Sequence, residues 1–234
     1  MRSSPTQQLA LAIQLNDEAA LTDFCWNGNA LLQQQLQQTL RGNNPQQIYL
    51  WGVPGSGKSH LLQACCQAVS AHQSAIYLPL KMLRDWGPDV IEGIDEQALI
   101  CIDDIDVIAT YAAWEEALFH LYNRVRDKGV STLIIAGNLP PANLSVQLPD
   151  LRSRLNWGLV MQLNELCDED KINTLKLHAN KRGFELPTSV GQFLLSRCAR
   201  NMHDLHDLLN RLDEASLIAQ RKITIPFVKE TLGI

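Results

Sequence analysis

The chain has 234 residues, enough for one large domain or two modest ones, and its 46% hydrophobic residues can supply a buried core. Its net charge is −5, and it has no long basic run, which argues against strong independent binding to a nucleic-acid backbone. We therefore expect any DNA contact to be weak and made through partners.

The lack of a targeting signal favours a cytoplasmic protein. No run of 18 or more apolar residues occurs, and the amino terminus lacks the basic and apolar regions of a signal peptide. The six cysteines show neither zinc-ligand spacing nor a disulfide framework, and the adjacent Cys65 and Cys66 fit a helix core. We expect no membrane partner.

The first 20 residues form a glutamine-rich leader, after which short apolar runs alternate with helical patterns up to residue 163. The strand candidates are 47–52, 75–80, 98–103, 132–137 and 159–163. Helices are expected between them, as at 112–129, where apolar residues recur at helical spacing and Gly129 ends the run. This alternation predicts an α/β fold whose parallel sheet has helices on both faces over residues 21–163.

Strand patterns are missing after Leu163. Helical patterns occupy 168–182, 187–198, 201–220 and 225–232. These patterns therefore predict that residues 164–234 form a small all-helical lid joined to the α/β base.

The first strand candidate leads into a glycine-rich loop with the spacing G-x-x-x-x-G-K-S between Gly52 and Ser59. This spacing, between a strand and a helix, is typical of a loop that wraps nucleotide phosphates. Lys58 would neutralise the β and γ oxygens, and the Ser59 hydroxyl would bind Mg²⁺. The alternative, a glycine-rich turn with a chance lysine, fits the element order less well. The predicted nucleotide contacts in the loop and the following helix are Gly52, Pro54, Gly55, Ser56, Gly57, Lys58, Ser59 and His60.

Polar residues follow two later strands. Asp103 and Asp104 end the third strand candidate, at the edge where ligands of open α/β sheets gather. Asp103 would hold Mg²⁺ directly or through water, and Asp104 would act as general base or orient the attacking water. Asn138, after the fourth strand candidate, would touch the γ-phosphate or that water. An acidic turn at 103–104 and ordinary turn chemistry at Asn138 are the alternatives.

Two arginines precede the last strand candidate. Arg154 is the candidate catalytic arginine, because a guanidinium matches the geometry of a transferring phosphate and neutralises its charge. Arg152 is as well explained by local pairing or capping as by such a role.

In this order, the phosphate loop, acidic strand, polar strand end, arginine and helical lid resemble the AAA+ ATPases. More narrowly, the segments GSGKSHLL, IDDID, SRLNWGL and RKITIPFVKE resemble the ATPase core of the bacterial replication initiator DnaA. The resemblance covers residues 21–234 and implies an AAA+ P-loop base with a helical lid. We expect neither the amino-terminal partner-binding domain nor the carboxyl-terminal DNA-binding domain of DnaA.

The resemblance also implies the ligand and two more contacts. It places Phe24 near the nucleobase of a bound adenine nucleotide, although core packing explains that side chain equally well. His203, in NMHDL, stands where the family has a lid arginine that contacts phosphates, with Arg200 as a possible substitute. A weakened γ-phosphate contact suits ADP or another nucleoside diphosphate better than ATP and implies weak hydrolysis by the chain itself.

Within the leader, the segment QLALAI resembles the short peptide by which proteins dock on the bacterial β sliding clamp. Gln8 would hydrogen-bond at the pocket rim, and Leu9, Leu11 and Ile13 would supply apolar anchors from an extended segment. The alternatives are an edge strand or an amphipathic tail.

Together these features favour a negative regulator of replication initiation. Tethered to the clamp, it would stack against ATP-bound DnaA and insert Arg154 at the shared interface. The alternative is an autonomous AAA+ ATPase, such as a helicase loader or motor on DNA, which would need a basic DNA-facing element. A small-molecule kinase would leave QLALAI unexplained. The sequence leaves self-assembly into a homo-oligomer open.

Overall fold

The computed structural model of the protein describes residues 19–42 and 46–234. Within them the chain forms five β-strands and nine α-helices. The strands are β1 Gln47–Trp51, β2 Ala75–Pro79, β3 Leu99–Asp103, β4 Thr132–Gly137 and β5 Leu159–Gln162. The helices are α1 Ala30–Leu40, α2 Lys58–Ser70, α3 Leu80–Leu83, α4 Ala112–Lys128, α5 Pro149–Leu155, α6 Asp168–Lys181, α7 Thr188–Arg197, α8 Met202–Ala219 and α9 Ile225–Leu232.

The strands form one parallel sheet in the order β2-β3-β4-β1-β5. All five residues of β3 are buried, as expected for a strand covered on both faces. The loops that follow β1 and β3 lie at the same edge of the sheet, its carboxyl edge, because the strands are parallel. The predicted parallel sheet is confirmed, and each predicted strand lies within one residue of its observed bounds.

Helices cover both faces of this sheet, as predicted. Alternate strand residues point to opposite faces, so Ile48 and Leu50 pack with α1 and α2, while Tyr49 packs with α4 and α5. The helix expected at 112–129 is α4, whose apolar residues Trp114, Leu118, Leu121 and Val125 are buried. Gly129 ends it in the left-handed conformation at φ 66°.

The connection between β2 and β3 is less regular than the others. After the single turn of α3, it consists of three 3₁₀ turns between Arg84 and Glu96. Gly87 and Gly93 have φ values of 90° and 75°, which no α-helix contains. These glycines break what would otherwise be a crossover helix.

Helices α6–α9 enclose a separate hydrophobic cluster and form the predicted helical lid. Leu175, Leu194, Leu205, Leu209 and Leu212 are fully buried in it. Among the described residues, no helix combines the length and apolarity needed to span a bilayer.

The buried carboxylate of Glu115 joins α4 to the segment before α5. It accepts backbone hydrogen bonds from Thr110 at 2.8 Å, from Gln147 at 3.0 Å and from Leu148 at 2.7 Å. These bonds tie the turn before α4 to the segment that leads into α5, the helix that carries Arg154.

We expect Glu115→Ala to lower the free energy of unfolding by roughly 3 kcal/mol, because buried N–H groups would lose charge-assisted partners. The neighbouring Glu116 is exposed, so Glu116→Ala is the matched control, with an expected change within about 0.5 kcal/mol. Urea unfolding of both variants measures the difference. Equal stability would mean that the carboxylate adds nothing beyond its exposed neighbour.

Candidate nucleotide site and interface arginine

The glycine-rich loop joins β1 to α2 and has the backbone of an anion-binding turn. Gly55 and Gly57 have φ values of 80° and 100°, and Gly57 precedes the first residue of α2. Gly52 packs so closely on the next segment that a Cβ there would lie 2.6 Å from the Leu163 carbonyl oxygen. Glycines at these positions allow the left-handed backbone and the close packing of the loop that leads into the amino terminus of α2.

Lys58 lies at the centre of this loop. Its buried ammonium group donates to the Gly52 carbonyl at 2.7 Å and the Val53 carbonyl at 3.0 Å. Burial lowers the pKa of Lys58, and the charges of Asp103, Asp106 and Asp104 oppose that change. The charge of the lysine is thus stabilised by the carboxylates at the end of β3 and just after it.

The two predicted aspartates have different environments. Asp103 is buried and accepts the Tyr77 hydroxyl at 2.7 Å and the Asp104 backbone N–H at 2.9 Å. Asp104 is half-buried and has left-handed backbone with φ 57°. Burial, followed by the charge of Asp103, raises the pKa of Asp104, which makes it a better proton acceptor near neutral pH.

A third carboxylate, Asp106, was missed in the sequence analysis. Its Oδ2 accepts the backbone N–H of Asn138 at 2.7 Å, which connects the end of β3 to the end of β4. Its Oδ1 is buried without a hydrogen-bond partner among the described residues. The only sequence signal was a third aspartate in IDDID, whose position beside Asn138 depends on the neighbouring strands.

The donor set of the loop fits a phosphate chain. The Ser56 hydroxyl is buried and unpartnered within the described part of the chain, so a ligand oxygen could pair with it. Ser59, on the first turn of α2, is exposed and available to a metal ion. The role of Ser59 and Asp103 as Mg²⁺ ligands remains a prediction from the sequence, because Asp103 already accepts from the Tyr77 hydroxyl and the Asp104 N–H.

The lid touches the loop through Asn201, another residue that the sequence analysis missed. A Cβ on Gly55 would lie 2.6 Å from the Asn201 Cβ. Asn201 caps α8 by accepting the Asp204 N–H at 2.9 Å. The predicted His203 lies two residues further on, is exposed, and has Nε2 3.6 Å from Oδ2 of Asp207. Arg200 is exposed as well.

Aromatic rings bridge the loop helix and the lid. The Phe24 ring lies 3.4 Å from the position of a Cβ on Gly57, and its centroid is 4.6 Å from that of Trp26. His60 lies between Phe24 and His178 of α6, at centroid distances of 6.1 and 6.2 Å. Phe24 also packs on the core between the sheet and α2. The structure shows the core packing of Phe24, and its contact with a nucleobase remains a prediction.

The two arginines of α5 differ in what they contact. Arg152 donates from Nη2 to the Val146 carbonyl, which gives it a local structural partner. Arg154 is half-buried, and its Cζ lies 4.7 Å from the ring centroid of Trp157. Within residues 19–42 and 46–234, no carboxylate forms an ion pair with Arg154.

Arg154 lies near the amino ends of the strands. Burial raises the pKa of Tyr122 to about 12, and the charges of Arg154 and Arg126 act against this increase. The Tyr122 hydroxyl bonds to Gln47, the first residue of β1. The glycine-rich loop follows the last residue of β1, at the opposite edge of the sheet.

The predicted clamp contacts Gln8, Leu9, Leu11 and Ile13 lie outside the described residues. They remain a prediction from the sequence.

We expect Gly55→Ala to lower the affinity for ADP at least about tenfold. Alanine at this φ costs about 1–2 kcal/mol, and its Cβ would also displace Asn201 and the lid. Gly183 has a similar φ of 87° with nothing within 4 Å of a Cβ, so Gly183→Ala imposes the strain without the contact. Calorimetric titration should show unchanged ADP affinity for Gly183→Ala. The same loss in both variants would contradict the importance of this contact.

Two family models match consecutive parts of the chain. The bacterial DnaA ATPase domain matches residues 89–162, and the lid domain of Hda matches residues 168–232. The two matches lie on either side of the junction between the sheet and the helical lid, and they cover the second half of the base and nearly all of the lid.

Solved structures show the same fold. Domain III of DnaA from Thermotoga maritima is 20% identical, with a TM-score of 0.79 over 94% of this chain and 98% of that chain. AMPPCP-bound DnaA from Aquifex aeolicus is 23% identical, with a TM-score of 0.69 over 84% of this chain and 65% of that one. The Holliday junction branch migration motor RuvB from Thermotoga maritima is 17% identical, with a TM-score of 0.63 over 94% and 73%.

Three observations indicate the same group of proteins. They are the phosphate loop beside three carboxylates, the DnaA-type sheet and the match of the lid. With a DnaA ATPase-domain match, an Hda lid-domain match and the fold of DnaA domain III, the chain is related to the Hda/DnaA group of AAA+ proteins.

Proposed function

We propose that this protein is a negative regulator of replication initiation that promotes hydrolysis of DnaA-bound ATP by supplying Arg154 in trans. The observation that carries this proposal is the placement of Arg154 at the sheet edge opposite the chain's own phosphate loop. Strand β1 separates the two edges by about 13 Å, since it runs from Gln47 to Trp51. An arginine so placed is suited to a nucleotide bound by a neighbouring molecule.

The state of Arg154 suits this role. It has no carboxylate partner within the described chain, so its positive charge is not already neutralised. Its planar fork matches two phosphate oxygens at once. An arginine finger supplied in trans is worth about 10³–10⁵ in rate, or roughly 4–7 kcal/mol of barrier.

The chain's own nucleotide would have a structural role. The N–H groups of the loop and Lys58 would hold the phosphates, and Ser59 and Asp103 would hold Mg²⁺, which adds charge neutralisation when bound. Asp104 would accept a proton from water, and Asn138, fixed by Asp106, would orient that water. These groups form a site for an adenine nucleotide, the type of ligand held by the DnaA relatives solved with AMPPCP.

The lid favours a diphosphate in that site. His203 is shorter than arginine and lies near Asp207 on its own helix, with 80% of its side chain exposed. A diphosphate has no γ-phosphate for a lid cation to contact. We therefore infer that the resting protein holds ADP or a related diphosphate and hydrolyses ATP weakly.

Tethering would come from the leader. Gln8, Leu9, Leu11 and Ile13 would dock on the β sliding clamp, so the regulator would act where DNA has just been replicated. Contact with DNA would be made through the clamp and DnaA. Such a protein would act in the cytoplasm.

An autonomous AAA+ ATPase remains the second candidate, because Arg154 could equally serve a second copy of this chain. The fold is shared with RuvB, a Holliday junction branch migration motor. The two functions differ in their dependence on concentration. A self-assembling ATPase would hydrolyse ATP faster per molecule as its own concentration rises, whereas the proposed regulator would need DnaA.

Replacing Gln8, Leu9 and Leu11 by alanine should abolish binding to the clamp and leave the melting temperature nearly unchanged, because we place the leader outside the core. Binding is measured by surface plasmon resonance and stability by calorimetry. Gln7→Ala, just outside the motif, is the control and should bind normally. A drop of many degrees in melting temperature would instead make the segment structural.

Arg154→Ala should leave clamp binding and nucleotide binding intact and reduce the stimulated hydrolysis of DnaA-bound ATP at least about 10³-fold. Arg154→Lys should rescue poorly, since a point charge on a flexible stem lacks the planar fork. The readout is release of phosphate from DnaA on clamp-loaded DNA.

Arg152→Ala is the matched comparison on the same helix, because Arg152 already has a local partner in the Val146 carbonyl. It should reduce stimulation far less than Arg154→Ala. Full stimulation by the Arg154→Ala protein would exclude the trans mechanism.

A further inference from the structure

We propose that Trp157 is a positioning residue for Arg154, and that its indole ring holds the guanidinium in the orientation that meets phosphate. This inference rests on the proposed function of Arg154. Its physical basis is a set of three stacked side chains, Arg126, Trp157 and Arg154, which we call the arginine stack.

The geometry of the arginine stack is compact. The Cζ atom of Arg154 lies 4.7 Å from the Trp157 ring centroid, and that of Arg126 lies 5.6 Å from the same centroid. Both distances are within the range of cation–π attraction, and tryptophan is the strongest partner for it. Trp157 is 61% exposed, although so large an apolar residue is usually mostly buried. Its exposure is explained if the ring serves the arginines.

The backbone fixes the ring relative to Arg154. The Trp157 N–H donates to the Arg154 carbonyl at 3.0 Å, closing the turn at the end of α5. The next residue, Gly158, packs against β1 so tightly that a Cβ would lie 2.5 Å from the Gln47 carbonyl oxygen. The backbone of the turn that carries the indole is therefore held against the sheet, close to Arg154.

Arg126 and Arg154 differ in whether a carboxylate pairs with them. Asp127 accepts from Arg126 Nε at 2.9 Å and from Arg126 Nη2 at 2.7 Å. Arg126 is thus neutralised and anchored by its neighbour, and it braces the indole ring. Arg154 keeps an unpaired charge within the described chain.

Stacking holds an arginine without consuming its hydrogen-bond donors. The ring contacts the guanidinium plane, and the N–H groups at its edge stay available for two phosphate oxygens. A cation–π contact at an exposed site favours the stacked conformer by about two- to fivefold. Part of the ordering of a flexible side chain is therefore complete before DnaA binds.

The test measures the maximal rate of stimulated DnaA ATP hydrolysis and the concentration of this protein that gives half of that rate. Trp157→Leu keeps apolar volume but removes the aromatic face, and it should lower the maximal rate about two- to fivefold, the factor by which the ring favours the stacked conformer. The half-saturating concentration should stay within about twofold of the parent's. Trp157→Phe should retain at least about half of the maximal rate, since phenylalanine is a weaker cation–π partner.

Trp86 provides a matched control, because it is also an exposed tryptophan, at 57%, on the same domain. Trp86→Leu should leave both parameters unchanged. A Trp157→Leu protein with the parent's maximal rate would overturn the proposal. So would a protein whose only defect is a higher half-saturating concentration, because Trp157 would then be a contact for DnaA and would not position Arg154.

Arg154→Ala, assayed in parallel, separates this inference from the proposed function. If Arg154→Ala still stimulates fully, the finger itself is wrong. If Arg154→Ala is inactive while Trp157→Leu is normal, only the positioning role is wrong. The stack can also be measured without DnaA, because the ring current of Trp157 should shift the Arg154 Nε–H proton upfield by NMR. That shift should persist in Trp157→Phe and disappear in Trp157→Leu, and its absence from the parent protein would refute the stack.

Discussion

The buried ammonium group of Lys58 lies between the carbonyls of its own loop and the carboxylates that follow β3. Burial disfavours its charged form, and the charges of Asp103, Asp104 and Asp106 favour it. This balance explains why the loop, the end of β3 and the end of β4 must be in register. A shift of one strand would leave a buried lysine or a buried aspartate without its counter-charge, which costs far more than a lost surface contact.

The parallel sheet separates two tasks by placing them at opposite edges. Its carboxyl edge collects the phosphate loop and the three aspartates, and its amino edge carries Arg154 beside Tyr122 and Gln47. In the proposed function, the molecule binds one nucleotide at the carboxyl edge and acts on another from the amino edge. The rigid β1 strand, buried on both faces, fixes the distance between the two edges. No conformational change within the base is needed to keep them apart.

The lid is connected to the nucleotide loop through short polar and aromatic contacts. Asn201 packs on Gly55, and His178 of α6 lies beside His60 of α2. The segment before α1 joins them as well, since the Asn27 amide donates to Asp170 of α6 at 2.6 Å. The lid and the nucleotide loop are thus held together by side chains in direct contact.

The amino-acid sequence by itself determined the elements. Apolar runs of strand length, helical spacing in the lid and the glycine-rich loop depend on neighbours within a few residues, so their positions could be predicted to within a residue or two. The sequence also placed Lys58, Asp103 and Asp104 at one edge, because parallel strands with helical crossovers leave no other arrangement.

The tertiary structure alone decided which distant residues meet. Asp106 faces Asn138, and Asn201 faces Gly55, across separations that no local pattern encodes. The sequence placed Arg152 and Arg154 before the last strand and preferred Arg154 as the catalytic arginine. The structure shows the contacts that separate them, since Arg152 donates to a local carbonyl and Arg154 stacks on Trp157 without a counter-charge in the described chain. Local sequence specifies backbone conformation, whereas the partner of a long polar side chain depends on the packing of the whole domain.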